Sequence, residues 1–262
     1  MKDIKKFTDQ NRLAWDEIAE VRNNGMQSAE FFARGGCTLN DEILAVAGDV
    51  RGLSLCHLQC ATGEDTLSWA NKGAKATGVD LSPKQIDLAK QKAAAAGLEV
   101  RFIAADIYTL PSQLFTEKFD LVFTGGGAIV WLPDLGQWAK IIAQLLKPSG
   151  RLILDEEHPI ASCMEIQNGQ VRIVDDYFGR KPEVYTGWSH FSGAENATEK
   201  KYEFGWPLGD VVTALAQAGL RIELLEERPS EQGWRFGDKL HDVARIPGEY
   251  LLVARKDSST QP

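Results

Sequence analysis

Long apolar runs are missing from this sequence of 262 residues. Apolar stretches such as Leu152–Leu154 fall far short of the roughly 20 residues that a helix needs to cross a bilayer. The N-terminal stretch Met1–Lys6 begins with basic residues but has no apolar run behind it, which predicts that there is no secretory signal. We therefore expect no membrane partner.

Cysteine is scarce, and its spacing is not typical of a metal site. The four cysteines are Cys37, Cys56, Cys60 and Cys163. The only close pair is separated by three residues, whereas the short zinc-binding motif has two. Chains from oxidising compartments are typically stabilised by disulfides, whereas cytosolic thiols stay reduced. Because cysteine is scarce here, we interpret these residues as reduced thiols and expect a cytoplasmic protein.

Basic charge is also in deficit. The chain has 29 Lys and Arg against 37 Asp and Glu, which gives a formal net charge of −8. Nucleic-acid binding needs clustered Lys and Arg to displace counterions from phosphates, and the one basic cluster, Lys2 with Lys5 and Lys6, is short. We expect no nucleic-acid partner. The 44% hydrophobic and 25% charged residues are typical of a globular chain that buries its own core.

Short apolar runs alternate with helical patterns between residues 53 and 154. Each run is apolar on both parities, as in a strand buried on both faces of a parallel sheet. Strands that alternate with helices of this length indicate βαβ units with right-handed crossovers. The predicted strands are Leu53–Leu58, Ala76–Val79, Val100–Ile103, Phe119–Phe123 and Leu152–Leu154. Helices are predicted over Thr8–Val21, from Ser82 to Gly97 and over Leu135–Leu145.

The pattern changes after residue 156. Residues 157–206 lack a sustained period and carry eight aromatic residues, which fits a lid or pocket wall for an organic ligand. A β-rich subdomain with its own small core fits as well. A helix resumes near Pro207, and Leu220–Leu225 and Tyr250–Val253 predict two more strands, joined by a long connection over Glu226–Glu249.

The turn after the first predicted strand points to the chemistry. Ligands of open parallel sheets bind beyond the carboxyl ends of the strands, where the sequence from His57 to Gly63 reads His-Leu-Gln-Cys-Ala-Thr-Gly. The next strand ends at Asp80, where a carboxylate suits a ribose diol. Dinucleotide fingerprints need three glycines near the pyrophosphate, but Gln59 and Ala61 stand at the first two positions. This favours a nucleoside cofactor without phosphates, S-adenosylmethionine, over a nicotinamide dinucleotide.

The order of these motifs resembles class I S-adenosylmethionine-dependent methyltransferases over residues 53–155. His57–Gly63 resembles a variant of the family's first motif, Asp-x-Gly-x-Gly-x-Gly, in which only Gly63 of the three glycines survives and His57 replaces the acidic residue. Phe119–Val122 resembles the start of the fourth strand, and Lys147–Arg151 resembles the turn before the fifth. The resemblance implies a three-layer α/β fold with a mostly parallel seven-stranded sheet and an antiparallel last strand near Tyr250–Val253.

The resemblance also implies roles for individual residues. Asp80 would hold the ribose hydroxyls, Asp106 would accept from the adenine amino group, and Ile107 would flank the adenine ring. The glycine-rich run that begins at Thr124 and Gly125 follows the fourth strand, so its backbone should face the cofactor. The full set of expected cofactor residues is Gln59, Cys60, Ala61, Gly63, Asp80, Leu81, Asp106, Ile107, Thr124 and Gly125.

Methyl transfer depends mainly on alignment and desolvation of donor and acceptor, but an oxygen or nitrogen acceptor also has to lose a proton. His158 follows the fifth strand on the correct edge of the sheet and is the first candidate for the base, ahead of His190 and Tyr185. The Asp-Glu-Glu run before His158 alternates sides on a strand, so no metal site is expected. We expect the acceptor pocket to be lined by Trp131, Tyr185, Trp188 and His190.

These inferences predict a three-part chain. Residues 1–50 form an N-terminal helical cap, residues 51–156 and 207–256 form the cofactor-binding core, and the aromatic-rich insert 157–206 covers the acceptor site. The predicted function is methyl transfer from S-adenosylmethionine to a small organic acceptor. A non-catalytic S-adenosylmethionine-binding protein with a degraded glycine motif is the alternative, and the missing glycines disfavour a nicotinamide-dependent oxidoreductase. No motif defines the oligomeric state.

Overall fold

The computed structural model describes residues 2–188, 191–230 and 233–258. Its strands are β1 (Ser54–Leu58), β2 (Lys75–Asp80), β3 (Arg101–Ala104), β4 (Phe119–Gly125), β5 (Leu146–Glu157), β6 (Met164–Gln167), β7 (Gln170–Ile173), β8 (Pro182–Tyr185), β9 (Lys201–Phe204), β10 (Leu220–Pro229) and β11 (Pro247–Lys256).

Three helices precede the first strand, and the others lie between or after the strands. The helices are α1 (Lys2–Asn24), α2 (Ala29–Ala33), α3 (Asp41–Ala47), α4 (Glu64–Asn71), α5 (Pro83–Ala96), α6 (Ser112–Glu117), α7 (Leu135–Leu145), α8 (Pro159–Ser162), α9 (Leu208–Gln217), α10 (Gly233–Phe236) and α11 (Leu240–Val243). Three short 3-10 helices cover Ile107–Thr109, Ile129–Trp131 and Gly237–Lys239. None of the helices in the described ranges combines the length and apolar character that a bilayer crossing requires.

Seven strands form the central sheet, in the order β10-β11-β5-β4-β1-β2-β3. Strands β1 to β5 are mutually parallel, while β11 runs antiparallel to both β5 and β10. The strand order reverses between β1 and β4, which is the switch point where ligands of such sheets bind. The predicted fold, a mostly parallel seven-stranded sheet with an antiparallel last strand, is therefore confirmed.

Alternate residues of the strands point to opposite faces of the sheet and pack into two apolar layers, one on each face. Val122 packs with Trp138 and Ile142 of α7 on one face of the sheet, and Leu121 packs with Ile43 of α3 and Trp69 of α4 on the other. Both faces are covered, which explains why the strands read as unbroken apolar runs. Trp138 is fully buried, so truncating it to alanine should cost about 3–5 kcal/mol.

The predicted bounds of the long connection, Glu226–Glu249, are wrong at both ends. Strand β10 continues to Pro229, and β11 begins at Pro247, because the two strands stay paired from Leu220 with Lys256 to Pro229 with Pro247. The charged residues of this stretch gave no periodic apolar signal. Only the neighbouring strand decides that they pair.

The segment 157–206 forms two small antiparallel hairpins, β6 with β7 and β8 with β9. Helix α1 joins this segment to the core, because Asn11 exchanges two hydrogen bonds with the Tyr202 backbone at 2.7 and 2.9 Å. The Glu17 carboxylate also accepts from the backbone N–H groups of Thr198 and Glu199. Helix α1 and the hairpin β8–β9 thus lie together above the carboxyl edge of the sheet.

Candidate functional site

A cavity of about 1070 Å³ opens at the carboxyl edge of the central strands. Neighbouring strands stand about 4.8 Å apart, so the groups that follow β3, β2, β1, β4 and β5 form a row along this edge. The row consists of Asp106, Asp80, the turn from His57 to Gly63, Gly125 and Glu156, and most of its members line the cavity.

The turn after β1 keeps a backbone shape that normally needs glycine. Gln59 has φ +58° and Ala61 has φ +48°, while Gly63 has φ +87°. The left-handed region costs a residue other than glycine about 1–2 kcal/mol. These residues therefore hold a strained turn at the carboxyl end of the sheet, a kind of strain that clusters at ligand sites.

Two glycines allow close packing around the cavity. A Cβ atom on Gly63 would lie 2.9 Å from the Phe102 ring and 3.0 Å from the Ala89 methyl group. A Cβ atom on Gly125 would lie 2.5 Å from the Asp155 carbonyl oxygen. Gly63 lets α4 begin against the sheet, and Gly125 lets β4 end against β5.

Asp80 occupies the end of β2, where the sequence predicted a ribose ligand. Its Oδ2 atom accepts from the Ala61 backbone N–H at 2.8 Å, and its Oδ1 atom accepts from the Ser82 N–H at 2.9 Å. Burial raises the pKa of this carboxyl group, although both backbone bonds oppose the shift. The carboxyl group is held in one orientation and faces the cavity together with Leu81.

Asp106 follows β3 and is covered by the N-terminal helix. Its Oδ1 atom accepts from the Tyr108 N–H at 2.9 Å, and the Thr8 hydroxyl of α1 donates to its Oδ2 atom at 2.6 Å. Thr8, Asn11, Trp15 and Arg22 all line the cavity. Helix α1 therefore forms one wall of the site; the sequence predicted a helical cap over residues 1–50 but not the contact between Thr8 and Asp106.

A buried ion pair lies beside the turn. The Glu64 carboxylate contacts Lys92 and lies 3.3 Å from a guanidinium nitrogen of Arg22, and it accepts from the Thr62 hydroxyl at 2.7 Å. Burial would raise the pKa of Glu64, but the two cations outweigh that effect and lower it. This network fixes Arg22 against the start of α4.

His57 is a core residue in this structure. It is 3% exposed, its Nδ1 atom lies 2.8 Å from the Thr66 hydroxyl, and its ring packs 4.9 Å from that of Phe123. Burial lowers the pKa of His57 to about 3, so the ring is neutral at physiological pH. His57 is therefore an uncharged hydrogen-bonding residue within the core.

Glu156 holds the loop after β4 in place. Its Oε1 atom accepts from the N–H groups of Ala128 at 2.6 Å and Ile129 at 3.1 Å, and its Oε2 atom accepts from Gly127 at 3.1 Å. Burial raises the pKa of Glu156 to about 8 against the lowering effect of two of these bonds. In the sequence, Glu156 belongs to the Asp-Glu-Glu run before His158, and no local pattern indicates its role.

His158 lies outside the cavity lining. Its Nδ1 atom accepts from the Ile160 N–H at 3.2 Å and so caps α8, while Nε2 lies 2.9 Å from a carboxylate oxygen of Glu227. Its backbone N–H donates to Gly248 of β11 at 2.8 Å. Strand β5 runs to Glu157, three residues beyond the predicted end at Leu154, and the pairing with β11 turns His158 toward the antiparallel edge of the sheet.

Aromatic residues line the cavity where the insert meets α1. The Trp188 ring lies 4.4 Å from that of Trp15 and 5.5 Å from that of Trp131. The Lys201 ammonium is 4.0 Å from the centre of the Trp188 ring and 3.2 Å from a carboxylate oxygen of Glu203. Trp188 is fully buried, so it serves both as core and as cavity wall.

Most of the predicted site residues line the cavity, and a few do not. The predicted residues that line the cavity are Gln59, Cys60, Ala61, Asp80, Leu81, Asp106, Ile107, Gly125, Trp131, Tyr185 and Trp188. Gly63 and Thr124 are not among the lining residues, and neither is His158. His190 lies outside the described residues. Across the described ranges, no group of three or more His, Cys, Asp or Glu side chains has a geometry that could hold a metal ion.

A parallel sheet with a carboxylate at the end of β2 and a strained turn after β1 is typical of Rossmann-like proteins that bind a nucleoside cofactor. Comparison with known proteins narrows this class. Residues 56–150 match the family model described as a methyltransferase domain. The matched segment runs from β1 into β5, and solved neighbours share the fold.

Three similar proteins illustrate the match. The malonyl-[acyl-carrier protein] O-methyltransferase of Pseudescherichia vulneris is 34% identical over 51% of this chain and 50% of its own length. A Haemophilus influenzae protein without an assigned function is 25% identical over 82% of this chain and 85% of its own. An S-adenosylmethionine-dependent methyltransferase structure from Mesorhizobium loti has a TM-score of 0.63 at 24% identity, and covers 82% of this chain and 96% of that one. The chain thus spans about half the length of the first of these relatives.

Proposed function

We propose that this chain transfers the methyl group of S-adenosylmethionine to a small organic acceptor. The observation that carries the proposal is the row of groups along the sheet edge. Asp106 and Asp80 suit the nucleoside at one end of the row, and the loop after β4 and the aromatic wall suit an acceptor at the other. One cavity connects the two ends, as direct transfer between two bound molecules requires.

The residues present fit the cofactor. Asp80 is a buried carboxylate fixed by two backbone bonds, so it is already oriented for the ribose hydroxyls. The Gln59 Oε1 atom is buried and has no hydrogen-bond partner among the described residues, which leaves an acceptor for a ligand. Asp106 and Ile107 would hold the adenine, and Arg22 would face the carboxylate of the amino-acid end. When bound, S-adenosylmethionine supplies an electrophilic methyl group on a sulfonium.

The chain's own contribution is alignment and exclusion of water. Trp15 of α1 packs against Trp131 and Trp188, so α1 and the insert would together close the space beside the loop after β4. A closed, pre-aligned pair of reactants can lower the barrier by about 7–11 kcal/mol. His158 does not enter this proposal, since it caps α8 instead of facing the cavity. We assign the cap role to residues 1–50 and the acceptor cover to 157–206.

The charge of the acceptor side disfavours polyanions. The cavity lining there includes the carboxylates of Glu165, Asp175, Asp176, Glu183 and Glu203, and its cations are Lys201 and Arg235. Crowding of like charges is evident at Glu183, whose pKa is raised by burial and by Asp175 and Glu203. Such a lining repels phosphate backbones, which supports a small acceptor over a nucleic acid.

The test is a transfer assay with isotope-labelled methyl donor. The protein is incubated with S-adenosylmethionine labelled in the methyl group and a panel of phenols, amines, thiols and carboxylic acids. We expect labelled product together with S-adenosylhomocysteine for at least one acceptor class, and none with the Asp80→Asn variant. Binding of S-adenosylhomocysteine without transfer to any acceptor would instead favour the non-catalytic binding protein.

A further inference from the structure

The side chain of Gln59 bridges the cofactor turn and the loop after β4. Its Nε2 atom donates to the carbonyl oxygen of Ala128 at 2.8 Å. A carbonyl oxygen can only accept, so the nitrogen of the amide must face Ala128 and the amide oxygen must face away. This contact fixes the orientation of the whole Gln59 side chain.

The loop after β4 is held from both sides. Gln59 holds the carbonyl group of Ala128, and Glu156 accepts from the N–H groups of Gly127, Ala128 and Ile129. The first anchor belongs to the turn that binds the cofactor, and the second belongs to β5. The position of this loop is therefore tied directly to the Gln59 side chain.

The amide oxygen of Gln59 is left without a donor. It is buried, and no described residue donates a hydrogen bond to it, although Gln59 lines the cavity. Buried polar atoms almost always have a hydrogen-bond partner. Gln59 also has a left-handed φ of +58°, a backbone conformation that would be unstrained for glycine. The arrangement points to a donor that arrives with a ligand.

The position along the sheet edge indicates which donor this is. Asp106 and Asp80 follow β3 and β2, so the nucleoside half of the cofactor suits that side. Gln59 follows β1, next to the loop after β4, where the amino-acid half would extend. The ammonium group of that half is a strong hydrogen-bond donor, and a hydrogen bond from a charged donor is stronger than a neutral one.

We propose that Gln59 recognises the amino-acid end of the cofactor, with Oε1 accepting from the cofactor's ammonium group while Nε2 holds the loop after β4 through the Ala128 carbonyl. This inference rests on the proposed function and assigns a side-chain role to a position where the family motif has glycine. Gln59 is a positioning residue for the loop and a binding residue for the cofactor.

Two ligands separate recognition of the amino-acid end from binding of the nucleoside. S-adenosylhomocysteine carries the ammonium group, whereas 5′-methylthioadenosine shares the adenosine and sulfur but lacks the amino-acid end. In the Gln59→Gly variant, whose backbone is relaxed at positive φ, we expect calorimetric affinity for S-adenosylhomocysteine to fall by about 10- to 100-fold. Affinity for 5′-methylthioadenosine should change by less than about threefold, and Asp80→Asn should weaken both ligands alike.

A second variant separates the two ends of the amide. Gln59→Glu keeps an oxygen for the ammonium group but cannot donate to Ala128, so the preference for S-adenosylhomocysteine over 5′-methylthioadenosine should be retained. Hydrogen exchange of the Gly127–Ile129 amides should speed up in this variant, because the loop has lost one anchor. Urea unfolding of both variants checks that each remains folded.

The outcomes distinguish this inference from the proposed function. Wild-type protein that binds neither ligand would overturn the proposed function itself. Wild-type protein that binds both, with the same ligand preference in Gln59→Gly as in wild type, would overturn the role of Gln59 alone. Unchanged loop exchange in Gln59→Glu would overturn the anchoring half of the inference.

Discussion

Glu156 should make the folded chain less stable as the pH rises from about 5 to about 8. The side chain is 4% exposed, and burial raises its pKa from 4.5, its ordinary value, to about 8. Between these values the folded state keeps a proton that the unfolded chain has released. Each pH unit in this window therefore lowers the free energy of unfolding by about 1.4 kcal/mol. The stabilising effect is complete below pH 4.5 and lost above pH 8.

The effect is large enough to measure in a matched pair of proteins. From pH 5 to pH 7, the free energy of unfolding of wild type should fall by about 3 kcal/mol through this group alone. Glu156→Gln has nearly the same shape and keeps an oxygen for Ala128 and Ile129, but it has no proton to release. Its amide nitrogen faces the Gly127 N–H, which should cost about 1 kcal/mol at every pH.

The assay is urea unfolding followed by tryptophan fluorescence at pH 5, 6 and 7. His57 contributes a slope of the opposite sign, because its folded pKa is lowered to about 3 and stability is lost as the pH falls below its unfolded value. That contribution is common to both proteins and cancels in their difference. A difference in the free energy of unfolding between wild type and Glu156→Gln that stays constant from pH 5 to pH 7 would contradict a raised pKa of Glu156.

Three further variants test separate parts of the site. Asp80→Asn should weaken S-adenosylhomocysteine binding by about 100-fold in calorimetry, since the carboxylate that we propose as acceptor for the ribose diol is lost; an unchanged affinity would contradict this role. His158→Ala should lower the free energy of unfolding by about 1 kcal/mol through loss of the α8 cap and leave cofactor affinity unchanged. Trp188→Ala should cost about 3–5 kcal/mol in urea unfolding, and a cost below about 1 kcal/mol would contradict its core role.

Much of the fold could be predicted because local pattern and tertiary environment agree in the core. Strands such as Phe119–Gly125 are apolar on both parities and are buried on both faces. Ser82 and Gly97 cap α5 at the predicted ends, with the Ser82 hydroxyl accepting from the Gln85 N–H at 3.1 Å. The place of Asp80 at the end of β2 could be predicted from the strand pattern, and its role as a ribose ligand stays a prediction.

The parts that could not be predicted depend on contacts between distant segments. Thr8 reaches Asp106 across 98 positions of the sequence, and nothing in the sequence around Thr8 indicates that partner. The orientation of His158 follows from pairing of its backbone with Gly248, which comes from a strand placed by tertiary packing. Gln59 was expected among the cofactor residues, but its proposed side-chain role could not be predicted, because an amide at a position where the resemblance implies glycine indicates a degraded motif.

The most direct test of the account is a calorimetric titration of the wild-type protein with S-adenosylhomocysteine, with NADH and NADP as controls and Asp80→Asn as the matched variant. We expect micromolar binding of S-adenosylhomocysteine, no binding of either dinucleotide, and strongly weakened S-adenosylhomocysteine binding in the variant. Binding of NADH, or an S-adenosylhomocysteine affinity that does not depend on Asp80, would contradict it.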